Sequence, residues 1–299
     1  MKIRSLFLFS LLIFCACRFP QEAQTNEFSN QTNSNQEISA VPVENRQPEV
    51  EKKKPVDDAR LATVEIRKVE RKGKYSLKID VEYPQLKEAK SAQEKEFNRH
   101  IKKQIDEKIL GFTDFLADRE KTAKTESRTE FSIGLDYKAE YVSDKIVSVF
   151  MNWHSFSGYL NEDYSPATVN FDLVKGKTIR LPDLFEPKAN YLEKLSGLAL
   201  EKLKRTCLSC SCEGGINAGE PLPEGVVNKV RPLPPGGMFD LGEATLPKAE
   251  SFDKWSVNGE GLKITFDEYE VGPGCIGIIH IVIPFNDLQP ILRKDLNFN

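Results

Sequence analysis

Histidine is nearly missing from this chain. Only His100, His154 and His280 occur in 299 residues. No two of them stand four apart on a helical pattern, so the paired imidazoles of a helical metal site are lacking. His100 flanks a helical stripe and His280 sits inside an apolar strand, and each reads as structural. A metal-dependent deacetylase, which needs an aspartate with paired histidines, finds no counterpart in this pattern. No G-x-S-x-G occurs and no glycine-rich loop opens a helix, so the nucleophile elbow and the phosphate cradle are also absent. An excess of one charge is lacking as well: the net charge is −3, which leaves no basic footprint for nucleic acid. There is no internal repeat. No apolar run after the first few residues is long enough to cross a bilayer, and no cofactor site is indicated.

What the chain has begins at its start. In MKIRSLFLFSLLIFCACRFP, Lys2 and Arg4 precede an apolar run from Leu6 to Cys15. The run falls short of the ~20 residues that span a bilayer, and its flanks are those of a secretory signal peptide. Phe14-Cys15-Ala16-Cys17 resembles the lipobox of bacterial lipoproteins, with small Ala16 before the cysteine that takes lipid. Residues 1–16 are therefore expected to be a leader and Cys17 the lipidated N-terminus, with ordinary cleavage and release as the alternative. Two acyl chains suffice for stable anchoring to a membrane. Arg18 follows Cys17, so nothing resembles an inner-membrane retention signal; an outer membrane is the expected address in a Gram-negative cell. Residues 17–60 are rich in Asn, Gln, Ser, Glu and Pro and show no periodicity. Such a segment buries too little to offset its ordering entropy and reads as a tether with a reach of ~35 Å.

Residues 61–299 are enough for one well-buried domain. Tyr75, Leu77, Ile79, Val81 and Tyr83 alternate with polar residues as in a half-buried strand, with ATVEIRKV a weaker strand before it and Pro84 ending the pairing. Phe97, Ile101, Ile105, Ile109, Phe112 and Leu116 recur at helical spacing over 91–116, closing a strand-strand-helix part at 61–118. Strands return at Phe131–Tyr141 and Val147–Trp153, joined by a turn at Ser143–Lys145, and again through Ala167, Val169, Phe171 and Leu173. Leu192, Leu195, Ala199 and Leu203 mark a second helix, completing a part at 119–205. A Cys-, Gly- and Pro-rich excursion, expected to be irregular, spans 206–250, and C-terminal strands fill 251–299. There CIGIIHIVIPF is apolar enough for a central strand covered on both faces, and Asn286 or Asp287 is a candidate cap for a short last helix. The class is α+β: a largely antiparallel sheet with two amphipathic helices packed on it.

With Cys15 removed and Cys17 lipidated, Cys207, Cys210, Cys212 and Cys275 remain. An even count outside the cytosol favours disulfides. Four cysteines allow three connectivities, and the preferred one joins one of the cluster to Cys275 and pairs the other two. Four thiolates around one zinc ion and free thiols are the alternatives. Among acidic residues, Asp267, Glu268 and Glu270 are the best carboxylate group for glycoside hydrolysis, but strand alternation would send Asp267 and Glu268 to opposite faces, and they read first as solvated charge at a strand end. Trp153, Phe156 and Tyr159 form an aromatic stretch at a hairpin end, with Trp153 expected in the core and Tyr159 exposed. A disulfide at Cys275 would gather the cysteine loop, Pro273 and Tyr269 into one rigid epitope.

Several of these stretches carry a resemblance. Val81-Glu82-Tyr83-Pro84 before a long helix, the run from Phe171-Asp172-Leu173 to Leu184-Phe185, and FDEYEVGPGCIGIIHIVIPFNDL together resemble a bacterial extracytoplasmic domain of unknown function. That family is shared with a lysozyme-binding anti-sigma factor and with the region preceding the catalytic domain of a peptidoglycan deacetylase. Where many members carry GGAH after the hairpin, this chain has Ser157-Gly158-Tyr159-Leu160. The resemblance implies an envelope protein that binds a protein, lysozyme-like, or a cell-wall glycan, with no reaction of its own; read from the residues themselves, Tyr159, Tyr269, Glu270 and Pro273 are the candidate contacts. A polysaccharide hydrolase using the acids near Glu270, and a purely structural lipoprotein, are the alternatives.

Overall fold

The computed structural model describes residues 58–295 except 73–74, 123–128, 159–161, 211, 213–215, 225 and 227–239. The leader, Cys17, residues 17–57 of the tether and Tyr159 lie outside the described residues; the tether's last three residues, Asp58–Arg60, instead form a 3-10 turn that Arg60 ties to Glu94 at 3.1 Å. Two sheets organise the rest. The larger has the order β1 (Leu61–Lys72), β2 (Tyr75–Leu86), β3 (Thr129–Val142), β4 (Ile146–Phe156), β5 (Asp163–Asp172) and β6 (Lys177–Thr178). All its pairs are antiparallel except β2 with β3, which are parallel. A parallel neighbour needs a crossover, and helix α1 (Ala92–Thr122) supplies it. Ser91 and Glu94 start that helix reciprocally: the Ser91 hydroxyl accepts from Glu94 N at 3.0 Å, and a Glu94 carboxylate oxygen accepts from Ser91 N at 2.9 Å. This capping box satisfies two of the orphan amides at the N-terminus. The helix runs one to two turns beyond the expected 116, through 118 to Thr122.

One face of the sheet and the helical stripe form the first core. Phe97, Ile101 and Ile105 are fully buried against Ile79, Val81, Ile133, Val149 and Phe171, with Ile109 and Phe112 packed at its margin. The other face is partly covered by a three-stranded antiparallel sheet, β7 (Trp255–Val257), β8 (Gly261–Phe266) and β9 (Ile279–Pro284). Helix α2 (Tyr191–Lys204) buries Leu195, Ala199 and Leu203 in the second core, beside Phe252, Ile264, Phe266 and Ile283. The α+β class with a mostly antiparallel sheet and two packed helices is what the structure shows.

Four local expectations are corrected. Pro84 does not end β2. Lys87 N donates to Arg60 O at 2.9 Å in the register of β1, so alternation turns the Pro84 nitrogen to the opposite edge, where pairing with β3 has stopped at Val81. The missing N–H therefore removes no ladder bond. The centre of the small sheet is β8, buried at all six positions, while β9 is an edge strand that alternates between buried and half-buried; Gly274–Ile276 form a 3-10 turn before it. Asn286 and Asp287 lie inside the last short helix, α3 in the C-terminal part being Leu241–Ala244 and α4 Phe285–Leu288, and Pro284 holds the cap position of α4. Asp267 and Glu268 do not alternate on a strand, because β8 ends at Phe266.

Candidate functional site

Between β8 and β9 the chain makes a twelve-residue bend, 267–278. Its first half is a turn closed on itself: Glu270 N donates to Asp267 O at 3.2 Å, and Asp267 N donates to a Glu270 carboxylate oxygen at 2.8 Å. Asp267 also pairs with Lys254 at 3.0 Å. Its Oδ1 is buried without a hydrogen-bond partner among the described residues. Burial lifts the Glu270 carboxyl above its usual value, opposed by the Asp267 amide. Glu268 is lifted too, by burial and then by the negative charge of Asp163. Tyr269, between them, has φ 64, a left-handed backbone that costs a non-glycine residue about 1–2 kcal/mol.

That conformation presents the side chain. Tyr269 is 60% exposed. Its ring lies over Gly274, where an added Cβ would overlap the ring and its hydroxyl. Pro273 starts the 3-10 turn that brings Gly274 beneath the ring, and Val271 and Ile276 root the bend in the second core. Two disulfides complete it. Cys210 joins Cys275 across 65 residues, with Cα atoms 5.5 Å apart, and Cys207 joins Cys212 with Cα atoms 6.2 Å apart. The sulfurs that a zinc ion would need as thiolates are thus spent in covalent bonds. The excursion is ordered where it meets this clasp: Cys207 N donates to Glu220 O, Gly219 N to Cys207 O and Leu222 N to Arg205 O, each at 2.8 Å. Thus the cysteine loop, Pro273, Tyr269 and Glu270 are brought together. Glu270 also borders a hollow of about 340 Å³ with Asp240, Glu243, Lys248 and Glu250.

The end of the β4–β5 hairpin adjoins the bend, since Asp163 and Tyr164 share their electrostatic environment with Glu268. Tyr164 is 42% exposed and donates to Glu162 at 3.2 Å. Its ring is 6.5 Å from that of His154, its cross-strand partner. The His154 ring in turn lies over Gly134, with Asp136 3.8 Å from its Nε2. Trp153 is buried as expected, and Phe156 is half-buried. Neither Gly274 nor Tyr164 is singled out by the sequence patterns above. The GPG spacing after Tyr269 and the exposed residues of EDYS were the available signals.

His280 is a half-buried structural residue: its Nδ1 is 3.0 Å from the Thr265 hydroxyl and its ring meets Phe150 edge-on at 5.0 Å. Of the three bend carboxylates, Asp267 pairs with Lys254, Glu270 accepts from the Asp267 amide and Glu268 feels the negative charge of Asp163. Among the described residues no group of three or more His, Cys, Asp or Glu is disposed to hold a metal ion. The arrangement is suited to contact: a rigid aromatic ring, an adjacent tyrosine and carboxylates that accept hydrogen bonds.

Comparison with known proteins gives two family matches. Residues 182–286 match a protein family of unknown function, DUF3298, and residues 70–159 match the family of the deacetylase PdaC. Val81–Pro84 falls in the second segment and most of FDEYEVGPGCIGIIHIVIPFNDL in the first. Peptidoglycan-N-acetylmuramic acid deacetylase PdaC of Bacillus subtilis (strain 168) is 26% identical over 237 residues, covering 79% of this chain and 43% of the relative. The chain therefore spans less than half the length of that curated relative. A solved DUF3298 family protein from Pseudomonas aeruginosa PAO1 superposes with a TM-score of 0.50 at 11% identity, over 81% of this chain and 96% of that one. A DUF3298 member from Bacteroides fragilis NCTC 9343 gives 0.48 at 13% identity, over 79% and 94%. The Pseudomonas structure shares the fold with this chain, and the likeness extends no further than the fold.

Proposed function

We propose that this protein is an extracytoplasmic binding module of the bacterial cell envelope, fastened to a membrane by lipid on Cys17, and that its ligand is cell-wall glycan. The observation that carries the reading is Tyr269: an exposed ring held over Gly274 in a bend locked by Cys210–Cys275. A flat aromatic face stacks on a sugar ring with little loss of side-chain freedom, and Glu268, its neighbour in the bend, accepts hydrogen bonds from hydroxyl and acetamido groups. The relation to a peptidoglycan deacetylase supports a wall-related role. No helix among the described residues is long and apolar enough to cross a membrane.

A second reading has its own support. The bend carboxylates, with Asp240, Glu243 and Glu250 in the hollow by Glu270, make this end acidic and suit a basic protein that acts on the wall, such as a lysozyme. Co-sedimentation with insoluble peptidoglycan tests the first reading and capture on immobilised lysozyme the second, each with wild type and Tyr269→Ala. Retention on peptidoglycan that is lost in the variant supports the glycan. Salt-sensitive retention on lysozyme alone selects the protein ligand, and retention on neither overturns both. Incorporation of labelled palmitate, abolished by Cys17→Ser, tests the anchor.

A further inference from the structure

The outer edge of β5 is left without a partner over part of its length. Leu173 N donates to Lys145 O at 2.7 Å on the β4 side, and Ile179 N donates to Asn170 O at 2.7 Å on the β6 side. Backbone groups alternate along a strand, so Asn170, Thr168 and Pro166 face away from β4. In the β5–β6 register, set by Phe171 opposite Thr178, Leu181 would be the residue opposite Thr168. The chain turns away there, because Leu181 opens a 3-10 helix with Pro182 in its first turn. The N–H and C=O of Thr168 are thus offered at a sheet edge, and no other described backbone group bonds to them.

Thr168 opens into a cleft of about 330 Å³ that Thr178, His100 and Gln104 also line. The cleft is lined by apolar side chains, Val169, Ile179, Leu181, Phe252 and Trp255, as well as polar ones, and it is balanced in charge. At its rim Arg180 is held by Asp183, with nitrogen–oxygen distances of 3.1 and 3.2 Å, and Asp253 has Lys254 3.6 Å away. His100 Nε2 lies 3.1 Å from Gln104 Nε2, and burial lowers the affinity of the ring for a proton. With Gln104 donating, the neutral imidazole carries its hydrogen on Nδ1. The lining therefore offers uncharged donors and acceptors together, which suits amides rather than ions.

We propose that this cleft receives an extended, uncharged peptide segment, which adds to the sheet beside β5 where β6 leaves off. A residue placed opposite Thr168 exchanges two backbone hydrogen bonds with it, as any hydrogen-bonded antiparallel pair does, while the hydroxyls of Thr168 and Thr178 and the His100–Gln104 pair meet the next amides. The site is separate from the Tyr269 bend and stands whether or not that bend binds glycan.

The test uses the intact, nitrogen-15-labelled chain and acetyl-tetraalanine N-methylamide as probe. At saturation the Thr168 amide should shift and its hydrogen exchange should slow by about tenfold or more. The same peptide N-methylated at alternate residues, which cannot complete the ladder, should bind at least about tenfold more weakly to the wild-type protein. Thr168→Pro removes the outward N–H at an edge that already holds Pro166, and should weaken the unmethylated probe similarly. The methylated peptide does not depend on that variant folding. Equal binding of both peptides, binding without any change at Thr168, no binding at millimolar peptide, or displacement of the peptide from Thr168 by chitotriose each overturns the proposal.

Discussion

Lys263 Nζ sits 2.7 Å from a carboxylate oxygen of Glu140, with the two side chains 8% and 3% exposed. The pair ties the small sheet to the large one. Glu140 reaches it because it is the extra residue of a bulge: Ala139 pairs with Val149, and Tyr141 with the very next residue, Ser148. A bulge re-aims a side chain, and here it turns a carboxylate inward to a lysine that also lies 5.0 Å above the Phe150 ring. Removing one partner leaves a buried unpaired charge. Glu140→Ala should therefore cost about 3–5 kcal/mol in urea unfolding, and the double change Glu140→Leu with Lys263→Met should cost far less, because it also removes the desolvation of both ions. An additive double mutant would show that the pair is not coupled.

His280, on the neighbouring strand, sets a pH dependence. Burial, with Lys263 and Lys138 adding repulsion, lowers its pKa from 6.5 to about 3. The unfolded chain thus takes up a proton below pH 6.5 that the folded chain refuses until about pH 3. Stability from this residue is complete above pH 6.5 and falls as pH drops through that window, by up to about 1.4 kcal/mol per pH unit. Comparing unfolding free energies of wild type and His280→Leu across pH 3 to 7 should show a shallower slope in the variant. Equal slopes would mean that His280 is protonated in the native state.

These two residues also show where the sequence was legible. Alternation matches the buried face of β3 from Phe131 to Ala139, but past the bulge Tyr141 packs on the second core instead of the first and Glu140, polar and expected on the wet side, is buried. The missing fact was the second sheet, whose strands are not contiguous with the first and cover that face at Ser148, Asn170 and Glu140. The same layering explains the misassigned centre: Lys263 and Thr265 make β8 look half-polar, but both are buried because each has a polar partner across a strand or sheet. β9 looked central through apolar content alone. The cysteine loop and GPGC were read as one region, since compartment and cysteine count sufficed for that, whereas the seat of Tyr269 on Gly274 depends on a backbone angle that no periodicity encodes.

The two disulfides should differ in worth. In the chain-entropy account the bond spanning 65 residues contributes roughly 4 kcal/mol and the one spanning 5 roughly 2 kcal/mol. Cys210→Ser with Cys275→Ser should lower the denaturation midpoint more than Cys207→Ser with Cys212→Ser, and it should also weaken ligand retention, because it frees the bend beneath Tyr269. A larger loss from the short bridge would mean that the excursion, rather than the bend, depends on the clasp.

Tyr269 separates stability from recognition. Its φ of 64 is a conformation that glycine adopts without penalty, and its ring, exposed as it is, returns little burial energy. Tyr269→Gly should therefore raise the stability of the domain by roughly 1 kcal/mol, seen as a higher urea midpoint at unchanged slope, while retention on the wall ligand disappears. Gly274→Ala makes the complementary change. Gly274 has no left-handed backbone requirement, but a Cβ there would drive the ring from its seat, so binding should fall although Tyr269 is still present. A strained residue that costs stability and supports nothing would be readily replaced by glycine or asparagine, so a gain of stability coupled to loss of binding is the signature expected of strain held for function. If Tyr269→Gly destabilises the fold instead, the ring is a packing element of the bend and the recognition face must lie elsewhere, with the β4–β5 end at Tyr164 and His154 next in line.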